Sequence, residues 1–166
     1  VKGIGDYGNS FGVPVVGGEV FFDESYDQNP LVNAFSAGIM KVDELISATA
    51  KGVGNPVFIV GSSTGKDGIH GATFSSAEID EHSPQSAVQI GSPITQKLLG
   101  DFMQEAVLQG LIKSSTDNGA GGLSSSVGEL ATITGGAVVN LEKVPLKYAN
   151  LKPWEIFISE SQERMT

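Results

Sequence analysis

Apolar residues fall at helical spacing most clearly after Ser92, where Ile94, Leu98, Leu99, Phe102, Met103, Ala106 and Val107 share one side of a helix. Ser92 stands where a cap belongs, Pro93 suits the first helical position, and Gly110 stops the run. Leu123 to Ile133 predicts a second helix. Shorter apolar runs have strand length: Val57 to Val60 reads as a buried strand, with Leu111 to Thr116 and Ala137 to Leu141 as further strands. Lys152-Pro153 opens a short final helix or turn that leads into the strand-like stretch Ile156 to Ser159. Helices alternating with strands predict an α/β layer in which ligands approach strand ends.

The first third has a different texture. Gly3 to Gly18 is dense in glycine, with Asn9 and Pro14, and reads as consecutive turns. Val15 to Phe22 is a β-type apolar stretch, and Asn29-Pro30 launches a strand-like Leu31 to Met40. A helix is expected over Val42 to Ala50, broken at Gly52-Val53-Gly54-Asn55-Pro56, where Gly and Pro make the best domain boundary. The reading is therefore two parts, 1–54 and 55–166.

Composition narrows the chemistry. The 166 residues are 40% hydrophobic and 17% charged, as in a globular chain long enough to bury a core. A net charge of −9 argues against charge-driven nucleic-acid binding. With no cysteine there is no disulfide, thiolate metal site or thiol nucleophile, and two histidines cannot make a three-His metal site. No apolar run approaches the roughly 18 to 20 residues of a membrane helix, so no membrane partner is expected. The chain opens at Val1 without an initiator Met or signal pattern, and a piece of something longer is the expectation.

Candidate chemistry sits in three places. Ser114-Ser115-Thr116-Asp117-Asn118-Gly119-Ala120-Gly121-Gly122-Leu123 puts a carboxylate before a glycine-rich turn and a helix start. Such a turn can cradle a phosphate while Asp117 holds a hard cation, or Asp117 or Asn118 simply caps the helix. Glu160-Ser161-Gln162-Glu163-Arg164 sets five polar side chains after Ile156-Phe157-Ile158, facing either a ligand crevice or solvent. Gln89 lies between apolar Val88 and Ile90, just before the Ser92 helix start, where a structural role competes with a ligand contact. Gly61 to Gly68 looks like a phosphate loop but fails the Walker pattern, because Asp67 follows Lys66. His70 and His82 read as structural or exposed residues.

Together these segments resemble the phosphoribosylformylglycinamidine synthase family, in its synthetase portion. The stretches that carry the resemblance are Gly3 to Asn9, Val13 to Glu19, Asn29 to Asn33, Thr64 to Thr73, Asp117 to Ser124 and Glu160 to Met165. The resemblance implies a two-layer α/β sandwich of the aminoimidazole ribonucleotide synthetase-like C-terminal type, preceded by the tail of an N-terminal half. It implies a ligase that uses ATP and Mg²⁺ to convert formylglycinamide ribonucleotide (FGAR) to the amidine, with ammonia from a glutaminase domain or subunit. By matching positions, Asp117 corresponds to a Mg²⁺ ligand, and Gln89, Glu160, Ser161 and Gln162 to substrate-binding residues. No catalytic residue of the family maps onto this chain, so the isolated chain is expected to be inert and to work with the rest of the synthetase, in the cytoplasm. Thr116 and Asn118 beside Asp117, and Lys66 where Arg is common, depart from the family pattern. Another ATP-using synthetase of the same superfamily and a non-catalytic nucleotide-binding or oligomer-forming module are the alternatives.

Overall fold

The computed structural model describes residues 1–28, 30–71 and 88–166. Helix α1 covers Lys2–Phe11, α2 Pro93–Leu108, α3 Leu123–Thr134 and α4 Pro153–Ile158. Strands β1, Val60–Gly61, and β2, Arg164–Met165, pair antiparallel, Val60 opposite Met165 and Gly61 opposite Arg164. Among the described residues no helix is long and apolar enough to cross a membrane.

The core forms where α3 meets α4. Leu123 and Val127, four residues apart on one face of α3, are buried with Val144, Leu151 and Ile156, and Ile59, Leu141 and Phe157 pack against them. Leu123 is fully buried. Pro93 starts α2 as its φ preference requires, and Leu99 and Ala106 are its buried residues.

Several expected elements differ. Gly3 to Gly18 is not a series of turns: its first part is α1, ended by Gly12 in the left-handed conformation (φ 90°), whose N–H reaches the Gly8 and Asn9 carbonyls. Glycine weakens a helix by about 1 kcal/mol per residue, and docking offsets that here, since α1 lies along α2 with the Phe11 ring 3.6 Å from where a Cβ on Gly100 would sit. The β-type stretches Val15 to Phe22 and Leu31 to Met40 are not strands among the described residues, because no ladder partner lies beside them. The helix expected over Val42 to Ala50 is only a 3-10 turn, Val42–Glu44.

Downstream, Leu111 to Thr116 is irregular; only its end pairs, with Thr116 and Thr166 exchanging backbone hydrogen bonds of 2.9 and 2.8 Å. Ala137 to Leu141 leads into a 3-10 turn at Leu141–Lys143, with Val138 fully exposed. Nor is Ile156 to Ser159 a strand, since Ile156 to Ile158 end α4. Pro153 at the first turn and the Glu155 carboxylate, accepting the Lys152 N–H at 2.8 Å, favour a helix there. The polar cluster thus follows a helix rather than a strand. The single short ribbon β1–β2 is the described sheet, and it fixes that cluster at its C-terminal side.

Candidate functional site

Residues 160–164 form the knot that joins the distant parts of the chain. Arg164 is buried, and its guanidinium donates to the carbonyls of Ser161 (Nε, 2.9 Å) and Ser159 (Nη2, 2.6 Å) and to Thr64 Oγ1 (Nη1, 2.8 Å). Burial pulls its pKa down, while the charge of nearby Asp67 works in the opposite direction. A planar donor fork holding three acceptors locks the backbone turn that presents residues 160–163.

Glu160 accepts the Gly121 N–H with Oε1 (3.0 Å) and the Gln89 side-chain N–H with Oε2 (2.6 Å). Gln162 in turn donates to Gln89 Oε1 at 2.6 Å. The three side chains therefore form one network, although 71 residues separate Gln89 from Glu160 and 73 separate it from Gln162. Gly68 lines the same place: a Cβ there would lie 2.6 Å from Glu160 Cβ and 2.7 Å from Gln89 Nε2, so only glycine lets the Gly61 to Gly68 loop close on the pair. Gln89 is exposed and Gln162 half-buried, so both amides are open to a ligand.

Ser161 points the other way. It is buried, its hydroxyl accepts the Gly65 N–H (2.8 Å) and donates to the Asp67 carboxylate, and the Ser159 hydroxyl is 3.1 Å away. Asp67 also pairs with Lys147 at 2.6 Å, and Lys66 with Glu155 at 2.9 Å. The Lys152 N–H, and after it Lys66, hold the Glu155 carboxyl below the ordinary glutamate range. The Gly61 to Gly68 loop is thereby tied to α4 and to residues 145–148, where Thr64 N–H meets the Pro145 carbonyl at 2.8 Å. His70 is exposed, with positive φ, and His82 lies outside the described residues.

Asp117 stands at a separate cleft of about 200 Å³, lined by Thr116, Asp117, Gly119, Ala120, Ser125, Ser126 and Glu129. It does not cap α3, whose first flanking residue is Gly122 with no side-chain cap. Gly122 fits because a Cβ there would fall 2.0 Å from the Ser159 carbonyl oxygen. Beside the cleft, Asn118 Oδ1 accepts from Ser126 (2.6 Å) and Thr166 (2.9 Å), while its buried Nδ2 has no partner among the described residues. The donors around the cleft are all oxygens, with carboxylates at Asp117 and Glu129. That set fits a hard cation such as Mg²⁺, which takes one or two carboxylates and completes its shell with water and phosphate.

The profile of AIR synthase related protein, C-terminal domain, matches residues 52–166, and that of the N-terminal domain matches residues 1–40. The chain belongs to the AIR synthase related family. A relative within it, phosphoribosylformylglycinamidine synthase subunit PurL of Salinibacter ruber, is 51% identical over 168 residues, spanning 99% of this chain and 22% of that protein. Among solved structures, Thermotoga maritima PurL complexed with FGAR superposes with a TM-score of 0.91 at 45% identity, covering 98% of this chain and 27% of that one. The same protein complexed with ATP gives 0.83 at 42% identity. The α/β fold of the AIR synthase C-terminal domain follows from these matches, and this chain spans about a quarter of the length of the relatives it resembles.

Sequence reasoning grouped Gln89 with the 160–162 triplet on resemblance; the hydrogen bonds place Gln89, Glu160 and Gln162 together and turn Ser161 inward. It gave no role to Glu129, Asp67 or Tyr7, and named Glu163 only as one of five polar side chains facing a crevice or solvent. Glu129 lies four residues after Ser125 on α3, so helical spacing from the Asp117 turn was a usable signal. Tyr7 and Glu163 are 156 residues apart, and no local pattern connects them.

Proposed function

We propose that this chain is part of the ATP-dependent ligase that converts FGAR to formylglycinamidine ribonucleotide and that it supplies a substrate-binding wall of that site. The observation that carries this reading is the convergence of Gln89, Glu160 and Gln162 in a chain so similar to a protein solved with FGAR. Residues 1–54 belong to the N-terminal half of a synthetase module, and 55–166 to its C-terminal domain. In the overall reaction the formamide oxygen of FGAR is phosphorylated by ATP, ammonia takes its place, and the oxygen leaves in inorganic phosphate. The ammonia comes from glutamine through a glutaminase domain or subunit, in the cytoplasm.

Gln162 Nε2 already donates to Gln89 Oε1 and to the Glu160 carbonyl, so Gln162 offers the substrate its Oε1 as an acceptor, while the exposed Gln89 amide faces the substrate's hydroxyl, amide or phosphate groups. Glu160 holds Gln89 in place, and the buried Ser161 hydroxyl fixes the loop behind them. Mg²⁺ would be held by Asp117, with Glu129 lining the same cleft, and when bound it neutralises charge on the phosphates. Alone, the 166 residues are expected to show no turnover, because the rest of the synthetase is needed.

Calorimetric titration of the full-length synthetase tests the assignment. Gln162→Ala should weaken FGAR binding by about 1 to 3 kcal/mol, the usual effect of a lost buried hydrogen bond, and leave ATP binding unchanged. Asp117→Asn should cut turnover by orders of magnitude with little change in folding. Collapse of ATP binding with intact FGAR binding in Gln162→Ala would move the network to the nucleotide site.

A further inference from the structure

Glu163, next to the substrate network, belongs to neither of the sites described. Its side chain is buried, and one oxygen, Oε1, accepts both the Tyr7 hydroxyl (2.7 Å) and the Ser92 backbone N–H (2.8 Å). Its own backbone is left-handed (φ 55°), and its carbonyl accepts the Ser62 N–H at 2.9 Å. Gly91 completes the contact, since a Cβ there would lie 3.0 Å from both Glu163 Oε1 and Tyr7 Cε2. One carboxylate oxygen thus ties together α1, the start of α2 and the β1–β2 ribbon.

Ser92 is three residues from Gln89, and Glu163 directly follows Gln162. Fixing the Ser92 N–H therefore fixes the segment that carries Gln89 toward Glu160 and Gln162. We propose that Glu163 is a positioning residue, clamped by Tyr7 from α1, that sets the Gln89–Gln162 network in register for substrate. The proposal rests on the FGAR-site reading above and adds a function for α1: the segment upstream of the domain boundary controls substrate affinity without touching substrate. What the clamp needs is an acceptor oxygen rather than a charge, because both of its bonds come from neutral donors.

The test uses the full-length synthetase with three clamp variants, Gln162→Ala as the control for the substrate site, and two readouts, steady-state kinetics and amide hydrogen exchange over residues 88–92. Tyr7→Phe, which removes one hydroxyl, should raise KM for FGAR about fivefold, and Glu163→Ala about tenfold or more, the range of one or two lost hydrogen bonds. Glu163→Gln, which keeps an acceptor oxygen, should stay within about threefold of wild type. KM for ATP and kcat should hold within about twofold throughout, and exchange over 88–92 should quicken in Glu163→Ala and Tyr7→Phe whether or not ligand is present. Unchanged exchange in Glu163→Ala and Tyr7→Phe, or equal shifts in both KM values, would overturn the clamp. Faster exchange with a normal FGAR KM would also overturn it, provided Gln162→Ala is impaired. Should Gln162→Ala bind FGAR normally as well, the substrate-site reading beneath it has failed instead. If Glu163→Ala does not fold, Tyr7→Phe and Glu163→Gln still decide the matter.

Discussion

Residues 12–43 and residues 59–166 are both well supplied with valine, leucine and phenylalanine, yet only the second region buries them. Every described residue from 12 to 43 is exposed, Phe22 and Phe35 at 94% each. In the second region Leu123 is fully buried and Arg164 nearly so. Hydrogen bonding divides the same way. The described bonds within 14–45 join residues two or three apart, such as Asp23 with Ser25 and Lys41 with Glu44. Those of the second region include long-range bonds, from Ser62 to Glu163 and from Thr64 to Pro145. Apolar sequence is thus only an offer of burial; a partner surface must meet it before it stabilises anything. Among the described residues the upstream arm leaves its large apolar side chains exposed.

The sharpest way to test that contrast is to add one methyl group in each region. Gly122→Ala forces a Cβ to 2.0 Å from the Ser159 carbonyl at φ 55°. Strain and overpacking together should cost about 4 kcal/mol, read as a fall in the urea midpoint of the 166-residue chain. Gly17 has nothing within 4 Å, so Gly17→Ala should change stability by less than about 0.5 kcal/mol. Equal effects would mean that the arm is packed in solution or that the α3–α4 junction yields.

Removing side chains is the milder counterpart. Leu123→Ala should cost about 3 kcal/mol, the usual range for emptying a filled core position, since Leu123 meets Val127, Val144, Leu151 and Ile156. Phe22→Ala should cost about 0.5 kcal/mol or less, although the ring removed is larger. A substantial loss for Phe22→Ala would show that the arm is covered, by itself or by a second copy, and a concentration series would separate the two.

The same contrast explains what could be read in advance. Helices α2 and α3 were legible because helical spacing is a local signal, and Pro93 and Pro153 mark the starts of α2 and α4, although the Ser92 side chain expected as a cap makes no capping bond. The arm misled because β-type composition is indifferent to whether a second strand arrives. Ile156 to Ile158 misled for the opposite reason: three apolar residues suit a strand, but the Glu155–Lys152 bond and Pro153 had already committed them to a helical turn. In the site, residue types foretold an oxygen-rich cleft at Asp117. The joining of Gln89 to Gln162, and of Tyr7 to Glu163, depends on contacts across more than seventy residues and had no local trace.

The smallest expected effect is a pH dependence that again separates the regions. Asp23 and Glu155 both have carboxyls held below their ordinary range, by different means. For Asp23 the Ser25 hydroxyl leads, followed by the Ser25 N–H; for Glu155 the Lys152 N–H leads, followed by Lys66. A depressed folded-state pKa adds stability that is present above the unfolded value, about 3.9 for Asp and 4.3 for Glu, and lost as pH falls through the folded one. The Asp23 bonds close a three-residue turn in the exposed arm, so their loss need not register in global unfolding. Glu155 ties α4 to the Lys66 loop, so its loss should. Urea unfolding at pH 7 and again at about pH 3, below both unfolded values, should therefore show Glu155→Gln less stable than wild type at neutral pH, with the gap narrowing in acid. Asp23→Asn should track wild type at both. A gap that persists unchanged at low pH would trace the Glu155 effect to packing rather than charge, and a narrowing gap for Asp23→Asn would place the arm inside the cooperative fold.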